Sequence, residues 1–250
     1  MTLTWDVMLN RQLRHDDVRF DLAVRFSSGA RRLALFGPSG AGKTQTLKMM
    51  AGIARPDSGR VVVAGRVLYD SAARIALSPQ QRHLGYVFQD YALFPHLTVR
   101  QNIAFGRSGR SGRTSQFSSW LNPPRRGDDA AVDRWIEAFH LQPIAGHYPH
   151  QVSGGQRQRT ALARALATEP AALLLDEPFA ALDRALRVRL RDELHELQST
   201  LALPMLLITH DEDDLKALAD EVIPLHAGRV MTLPVADDEE EPVHGPAPAP

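Results

Sequence analysis

The segment from Gly37 to Thr44, GPSGAGKT, has the residue types and spacing that a phosphate-binding loop requires. Glycines let the backbone curl so that successive N–H groups point at phosphate oxygens. Lys43 would bridge the β and γ phosphates of a nucleoside triphosphate, and the Thr44 hydroxyl would bind Mg²⁺. The predicted nucleotide-binding residues are Gly37, Pro38, Ser39, Gly40, Ala41, Gly42, Lys43 and Thr44. The alternative is a glycine-rich turn before a helix.

The segments on either side of this loop favour phosphate binding. Leu33 to Phe36 is a short apolar run, which predicts a buried strand. Thr44 to Ile53 carries apolar residues at helical spacing, and the N-terminus of such a helix favours an anion. Further upstream, Arg19 to Phe26 alternates apolar and polar residues, which predicts a half-buried strand.

Three more apolar runs predict buried strands, at Leu84–Phe88, Ala172–Leu175 and Met205–Ile208. Buried strands that alternate with helices imply a largely parallel sheet covered on both faces, which is an α/β fold. Ligands of such sheets bind at the carboxyl ends of the strands. The polar residues that follow these runs are therefore expected to face a ligand: Gln89, Asp176, Glu177 and His210.

Ser153, Gly154, Gly155 and Gln156 precede a segment rich in Ala and Leu that is predicted to be a helix. Ser153 and Gln156 have the spacing of a capping box, with Ser153 as the N-cap. The N-terminus of this helix is suited to receive an anion. Considered alone, an ordinary capped helix explains the pattern equally well.

The composition limits the possible partners. Basic and acidic residues number 29 each, so no overall field attracts nucleic acid or anionic lipid. No apolar run approaches the roughly 18 residues that span a bilayer, so membrane contact is expected to come through a partner. Met1 to Asn10 lacks the apolar core of a signal peptide, which favours a cytoplasmic protein. The absence of cysteine excludes disulfides and cysteine nucleophiles.

Two segments differ from the rest in composition. Gly106 to Asp129 is rich in Ser, Gly, Arg and Pro without periodicity, which predicts a flexible surface insertion. Residues 233–250 contain an acidic run followed by a Pro-rich end, and we expect them to be disordered.

The chain resembles the ATP-binding cassette family in three motifs that occur there in the same order. They are the phosphate-binding loop at 37–44 (the P-loop), the signature segment VSGGQRQR at 152–159 and LLLDEP at 173–178. The similarity runs from about residue 33 to about residue 228. It implies a P-loop NTPase domain at 1–232 with a mainly parallel core sheet, an antiparallel β subdomain and a helical subdomain inserted at about 90–168. It also implies ATP and Mg²⁺ as ligands.

Further roles follow from this resemblance. The signature Ser153, Gly154, Gly155 and Gln156 of one copy would cover the γ-phosphate bound by a second copy, so two copies would enclose two ATP molecules. Asp183 matches a loop that crosses the interface of such a dimer. Val152 stands where the family usually has leucine, and both residues are apolar.

The resemblance also assigns the hydrolytic residues. Asp176 would hold the Mg²⁺ shell, and Glu177 would be the general base that activates the attacking water. Gln89 would contact Mg²⁺ or water, and His210 would contact the γ-phosphate. Without the P-loop, Asp176 and Glu177 would be interpreted as a strand end that caps the next helix. His210 would also be interpreted as a residue at a strand end that caps the next helix.

One departure concerns the adenine. The family usually stacks adenine on an aromatic residue upstream of the P-loop, whereas the segment here, Asn10 to Asp17, contains only Arg14 and His15 as planar side chains. Arg14, His15 and Phe20 are therefore all candidates.

The segment Tyr91 to Val99 is unusually apolar. By resemblance it receives a helix of a separate integral membrane permease, and the alternative is a core loop. A subunit of this kind would lie at the cytoplasmic face of the membrane, and a substrate-binding protein would serve the permease.

The sequence of the segment from Gly65 to Gln89 is most similar to that of the ATPase subunits of molybdate importers. Importers of sulfate, iron, polyamines or sugars remain alternatives. Cassette ATPases outside transport, in DNA repair or on ribosomes, carry coiled coils or two cassettes, and neither is evident here. A nonhydrolysing module would be expected to lack Glu177 or His210.

Overall fold

The computed structural model describes residues 3–15, 18–107, 126–180 and 182–231. Its strands are β1 (Trp5–His15), β2 (Val18–Ser28), β3 (Arg32–Phe36), β4 (Ser58–Val63), β5 (Arg66–Asp70), β6 (Ile75–Ala76), β7 (Leu84–Val87), β8 (Ala172–Asp176), β9 (Met205–Thr209), β10 (Glu221–His226) and β11 (Arg229–Val230). Its α-helices are α1 (Lys43–Ala51), α2 (Pro79–Arg82), α3 (Val99–Arg107), α4 (Arg126–Ala138), α5 (Gly154–Leu166), α6 (Arg184–Leu201) and α7 (Glu212–Leu218).

The strands form one sheet in the order β6-β5-β4-β1-β2-β11-β10-β3-β9-β8-β7. The five strands from β10 to β7 are mutually parallel, and β1, β2, β4, β5 and β6 pair antiparallel. The predicted parallel α/β core with an antiparallel β subdomain is therefore confirmed. The strands β8 and β9 are buried along their whole length, as expected of parallel strands covered on both faces.

Each face of the parallel sheet has its own hydrophobic core, because successive side chains of a strand point to opposite faces. In β8, Ala172 and Leu174 pack into the cluster that contains Leu47 of α1. Leu173 and Leu175 pack into the other cluster with α5, α6 and α7. Helix α1, which follows the P-loop, and helix α5, which follows Ser153, therefore lie on opposite faces of one sheet.

A helical layer formed by α3, α4 and α5 provides the inserted helical subdomain that the fold class predicts. Ile103, Trp135 and Leu162 are buried in it. The predicted insertion at 106–129 overlaps α3 and α4 at its two ends, because those helices include residues 106–107 and 126–129. Such Arg-, Gly- and Asp-containing ends gave no helical periodicity in the sequence. The rest of the insertion, and the tail at 233–250, lie outside the described residues.

Among the described helices, none combines the length and the apolar character needed to cross a membrane.

Candidate functional site

The P-loop connects β3 to α1 as predicted, and its backbone depends on two glycines. Gly42 is the N-cap of α1 with φ +99°, a left-handed conformation that favours glycine. A Cβ on Gly42 would also lie 2.9 Å from Leu22 and 3.4 Å from the Phe20 ring. Gly37 approaches the main chain of β10 so closely that a Cβ there would lie 2.0 Å from the carbonyl oxygen of Leu225. Any larger residue would therefore displace the loop.

Lys43 is 5% exposed and its ammonium turns back over the loop. The Nζ atom donates to the carbonyl oxygens of Gly37 at 2.7 Å and Pro38 at 2.9 Å. Burial lowers the pKa of Lys43, and the nearby carboxylates of Glu177 and Asp176 oppose that shift. A positive charge thus stands inside the curl of the loop, where anionic phosphate oxygens would be attracted.

Asp176, at the end of β8, is 2% exposed and has a hydrogen bond at each carboxylate oxygen. Thr44 Oγ1 donates to Oδ1 at 2.9 Å, and the Tyr86 hydroxyl donates to Oδ2 at 2.9 Å. Burial raises the pKa of Asp176, and these two hydrogen bonds oppose the increase. Two of the three residues expected to contact Mg²⁺, Thr44 and Asp176, are therefore hydrogen-bonded to each other, whereas the third, Gln89, contacts Glu177 instead. Tyr86 was not predicted from the sequence.

Glu177 brings the other predicted hydrolytic residues together. Its backbone has φ +46°, and its N–H donates to the Ile208 carbonyl at 3.0 Å. Gln89 Nε2 donates to Oε2 at 3.4 Å, and His210 Nδ1 lies 3.4 Å from Oε1. The ends of β7, β8 and β9 thus bring an amide, a carboxylate and an imidazole into one group.

A network of charged side chains supports the loop that carries His210. Thr209 Oγ1 donates to Asp214 Oδ2 at 2.9 Å, and Arg191 donates to Asp214 Oδ1. Arg187 forms an ion pair with Asp211 and donates to the Phe179 carbonyl at 3.0 Å. One guanidinium therefore joins the segment after Glu177 to the segment after His210, a contact that the sequence did not indicate.

The signature segment has the predicted capping box. Ser153 Oγ accepts from the N–H of Gln156 at 3.3 Å, and the Gln156 side chain accepts from the Ser153 N–H at 2.9 Å. Gly154 is half-buried and Ser153 is exposed. Gly155 is buried, and a Cβ there would lie 2.8 Å from the Leu186 side chain. Gly155 therefore allows α5 to approach α6 closely, a packing role that the sequence did not suggest.

Asp183 is exposed and is the N-cap of α6, where its side chain accepts from the Leu186 N–H at 3.0 Å. Arg159 also binds Glu193 through two hydrogen bonds and so joins α5 to α6. Within the part of the chain that is described, no hydrogen bond or ion pair joins Ser153–Gln156 or Asp183 to residues 37–44 or to the group of Asp176, Glu177, Gln89 and His210. The candidate residues thus form two separate sets in one copy.

One of the three adenine candidates lies beside the P-loop. The Phe20 ring borders Gly42, whereas Arg14 is exposed in β1 and donates to Gln12 at 3.1 Å. The side chain of His15 is outside the described set. Phe20 is therefore the candidate that the geometry favours.

The segment Tyr91–Val99 is neither a simple core loop nor fully exposed. Tyr91 and Val99 are buried, but the Phe94 ring packs against Phe105 at 4.4 Å and against His96 at 6.0 Å. Phe105 is 52% exposed. The segment therefore contributes to an aromatic patch on the surface.

Arg82 is a further residue that sequence reasoning missed. It is 3% exposed, yet its guanidinium donates to the carbonyl oxygens of Met49, Met50 and Leu77 at 2.7 to 2.9 Å. Met49 and Met50 lie in the last turn of α1, whose carbonyls carry a partial negative charge. Arg82 therefore fastens α2 to the end of the P-loop helix.

The donors at this site suit the expected ligands. Thr44, Asp176 and Gln89 offer hydroxyl, carboxylate and amide oxygens, which are the hard ligands that Mg²⁺ prefers. The close approach of Gly37 to β10 and the Lys43 ammonium suit a phosphate chain.

Comparison with known proteins identifies the family of the chain. The family model described as ABC transporter matches residues 21–180. The chain is 42% identical over 206 residues to the probable sulfate/thiosulfate import ATP-binding protein CysA of Chlorella vulgaris, covering 82% of this chain and 80% of that protein. It is 39% identical over 223 residues to the molybdenum import ATP-binding protein ModC of Paramagnetospirillum magneticum, covering 89% of this chain. It spans only 58% of the ModC protein.

A solved structure supports the fold. The ATP-binding cassette MJ0796, described as a dimeric post-hydrolysis state bound to ADP and Pi, has a TM-score of 0.74 at 24% identity. The match covers 91% of this chain and 97% of that chain. Because the family match includes the P-loop, strands β3 to β8 and the signature segment, the chain belongs to the ABC transporter family as an ATP-binding cassette ATPase.

Proposed function

We propose that this chain hydrolyses MgATP as the motor subunit of an importer, and that a separate integral membrane permease forms the translocation path. The observation that supports this most is the convergence of Gln89 and His210 on Glu177, next to the contact between Thr44 and Asp176. An ATP-binding module without hydrolysis would not need a carboxylate held between these two groups.

In this proposal each site residue has a defined task. The amides of the P-loop and the Lys43 ammonium bind the phosphates, and Thr44 and Asp176 hold Mg²⁺. Mg²⁺, when bound, neutralises charge on the phosphate oxygens. The Glu177 carboxylate accepts the proton of the attacking water. His210 and Gln89 keep that carboxylate and the water oriented.

The signature would act on the ATP of a second copy. Ser153–Gln156 and Asp183 lie at two helix N-termini. Within the described residues, neither has a hydrogen bond or ion pair to the P-loop or the Glu177 group of the same copy. Helix N-termini attract anions. A second copy that faces this chain would supply its own signature to the γ-phosphate and complete two sites.

The aromatic patch of Phe94, His96 and Phe105 would receive the permease. It adjoins the segment that follows Gln89, so closure of the site around ATP and movement of the permease would be linked. The subunit would then lie at the cytoplasmic face of the membrane, and a substrate-binding protein would deliver solute to the permease.

We further propose that the imported solute is a tetrahedral oxyanion. The relatives include a molybdenum importer subunit and a sulfate/thiosulfate importer subunit, and both solutes share that geometry. Molybdate is the first candidate because of the sequence of the segment from Gly65 to Gln89. Sulfate is the alternative that the CysA relatives favour.

Uptake into cells that lack this chain tests the proposal. Wild-type chain should restore uptake of labelled molybdate, and a Lys43→Ala variant should not, because it removes the cation that binds the phosphates. Restoration of sulfate uptake alone would replace molybdate with sulfate. A Lys216→Ala variant, which changes an exposed lysine of α7, is the matched control and should restore uptake fully. No restoration of either solute by the wild type would contradict the oxyanion proposal.

A further inference from the structure

Tyr86 lies in β7, the strand next to the one that ends in Asp176. Its register partner in β8 is Leu174, and Asp176 follows two residues later on the same face of the sheet. A long side chain reaches such a diagonal neighbour on the adjacent strand. The Tyr86 hydroxyl does so and donates to Asp176 Oδ2 at 2.9 Å.

Each oxygen of the Asp176 carboxylate thus has a separate donor. Thr44 at the start of α1 takes Oδ1, and Tyr86 takes Oδ2. Because Asp176 is 2% exposed, water has little access to replace either donor. The direction of the carboxylate therefore depends on both hydroxyls.

We propose that Tyr86 is a positioning residue for Mg²⁺: its hydroxyl anchors Oδ2 so that Oδ1 stays directed at Thr44. The inference rests on the proposed MgATP function. Partners of this kind, which orient a metal-binding side chain without touching the metal, commonly change metal affinity when removed.

The surroundings of Tyr86 suit an anchor. Its ring packs against Phe88 with centroids 4.4 Å apart, so the phenol has little freedom to turn away. Burial raises the pKa of the phenol, and the charge of Asp176 and the hydrogen bond to it add to the increase. The ring packing and the hydrogen bond therefore hold the hydroxyl on Asp176 Oδ2.

The Tyr86→Phe variant removes the hydroxyl and keeps the ring. In a titration of Mg²⁺ against protein with a fluorescent nonhydrolysable ATP analogue, we expect the half-saturating Mg²⁺ concentration to rise about tenfold. Affinity for the analogue in EDTA should equal that of the wild type, because the P-loop is unchanged. This metal-free affinity also reports that the variant is folded.

Tyr69→Phe is the matched control. The Tyr69 hydroxyl is buried and donates to the Pro56 carbonyl at 3.3 Å, in the antiparallel subdomain. Its loss should leave the half-saturating Mg²⁺ concentration unchanged. If Tyr86→Phe does not fold, Tyr86→Met provides an apolar side chain without the hydroxyl, and the same rise is expected.

Two outcomes would overturn the inference in distinguishable ways. Equal Mg²⁺ dependence of Tyr86→Phe and the wild type would refute the anchoring role while leaving the proposed function intact. A wild-type protein that binds the analogue with no Mg²⁺ dependence would refute the proposed function, and the anchoring role with it.

Discussion

At the scale of single residues, Glu177 is held in a left-handed backbone conformation that residues other than glycine rarely adopt. Such strain is typical of functional sites, where the surrounding structure maintains it. Here the N–H of Glu177 is fixed by a hydrogen bond to Ile208, so the carboxylate leaves the strand in a defined direction toward Gln89 and His210.

Glu177→Gln keeps the size of this side chain but removes its ability to accept a proton. We expect ATP turnover to fall by about 10²- to 10⁴-fold, the usual contribution of a general base. ATP affinity should remain near that of the wild type, because the P-loop and Lys43 are unchanged. Steady-state hydrolysis and equilibrium nucleotide binding measure the two effects.

The control for this prediction is Glu196→Gln, which makes the same chemical change at an exposed position of α6. It should hydrolyse ATP at the wild-type rate. Turnover by Glu177→Gln at the rate of this control would show that another group accepts the proton.

At the scale of elements, α1 is stabilised at both ends by contacts with its main chain. Gly42 caps its start, and the buried Arg82 donates to two carbonyls of its last turn. No carboxylate is hydrogen-bonded to Arg82 among the described residues, so the carbonyl dipoles of the helix end provide its counter-charge. The position of Lys43 and Thr44 thus depends on a contact at the far end of their helix.

Arg82→Ala should lower the free energy of unfolding by about 3 kcal/mol, because three hydrogen bonds from a buried charged donor to main-chain carbonyls are lost. Urea unfolding measures the change. Arg55→Ala, at an exposed position just after α1, is the control and should change stability little. A loss below about 1 kcal/mol for Arg82→Ala would mean that water satisfies these carbonyls as well as Arg82 does.

The elements of the nucleotide site could be predicted because their patterns are local. Short apolar runs predict the strands β3, β7, β8 and β9. The spacing of Ser153 and Gln156 predicts the capping box of α5. The contacts of Tyr86 and Arg82 could not, because they join residues 90 and 33 positions apart in the chain. Strand β1 was missed although Trp5, Val7 and Leu9 alternate as its buried face, since polar residues interrupt the apolar signal.

At the scale of the whole molecule, distant parts of the chain meet where the parallel strands begin. Arg32 at the start of β3 donates to Asp220 just before β10, and the Asp220 N–H donates to the Arg32 carbonyl at 2.7 Å. The side-chain hydrogen bond from Arg32 lowers the pKa of Asp220. This ion pair therefore helps to hold the C-terminal strands to the P-loop strand.

The pH dependence of this ion pair has a defined sign. Because the pKa of Asp220 is lower in the folded than in the unfolded protein, its contribution to stability is present above the ordinary carboxyl pKa of about 3.9 and is lost as pH falls through the folded value. We expect the wild type to exceed Asp220→Asn in stability at pH 6, and the difference to shrink toward pH 3.

Thermal unfolding of both proteins across this range measures the effect. Asp192→Asn, at an exposed position of α6, should show no such pH-dependent difference from the wild type. A difference for Asp220→Asn that stays constant from pH 6 to pH 3 would contradict the assignment of the ion pair.

The order β3-β9-β8-β7 places the P-loop, His210, the Asp176–Glu177 pair and Gln89 at the carboxyl ends of four neighbouring strands. Adjacent strands in any sheet stand about 4.8 Å apart, a spacing set by peptide hydrogen bonds. The separations among the candidate site residues are therefore largely a property of the backbone. Substitutions on the solvent-facing sides of the helices would therefore leave the spacing between these strand ends unchanged.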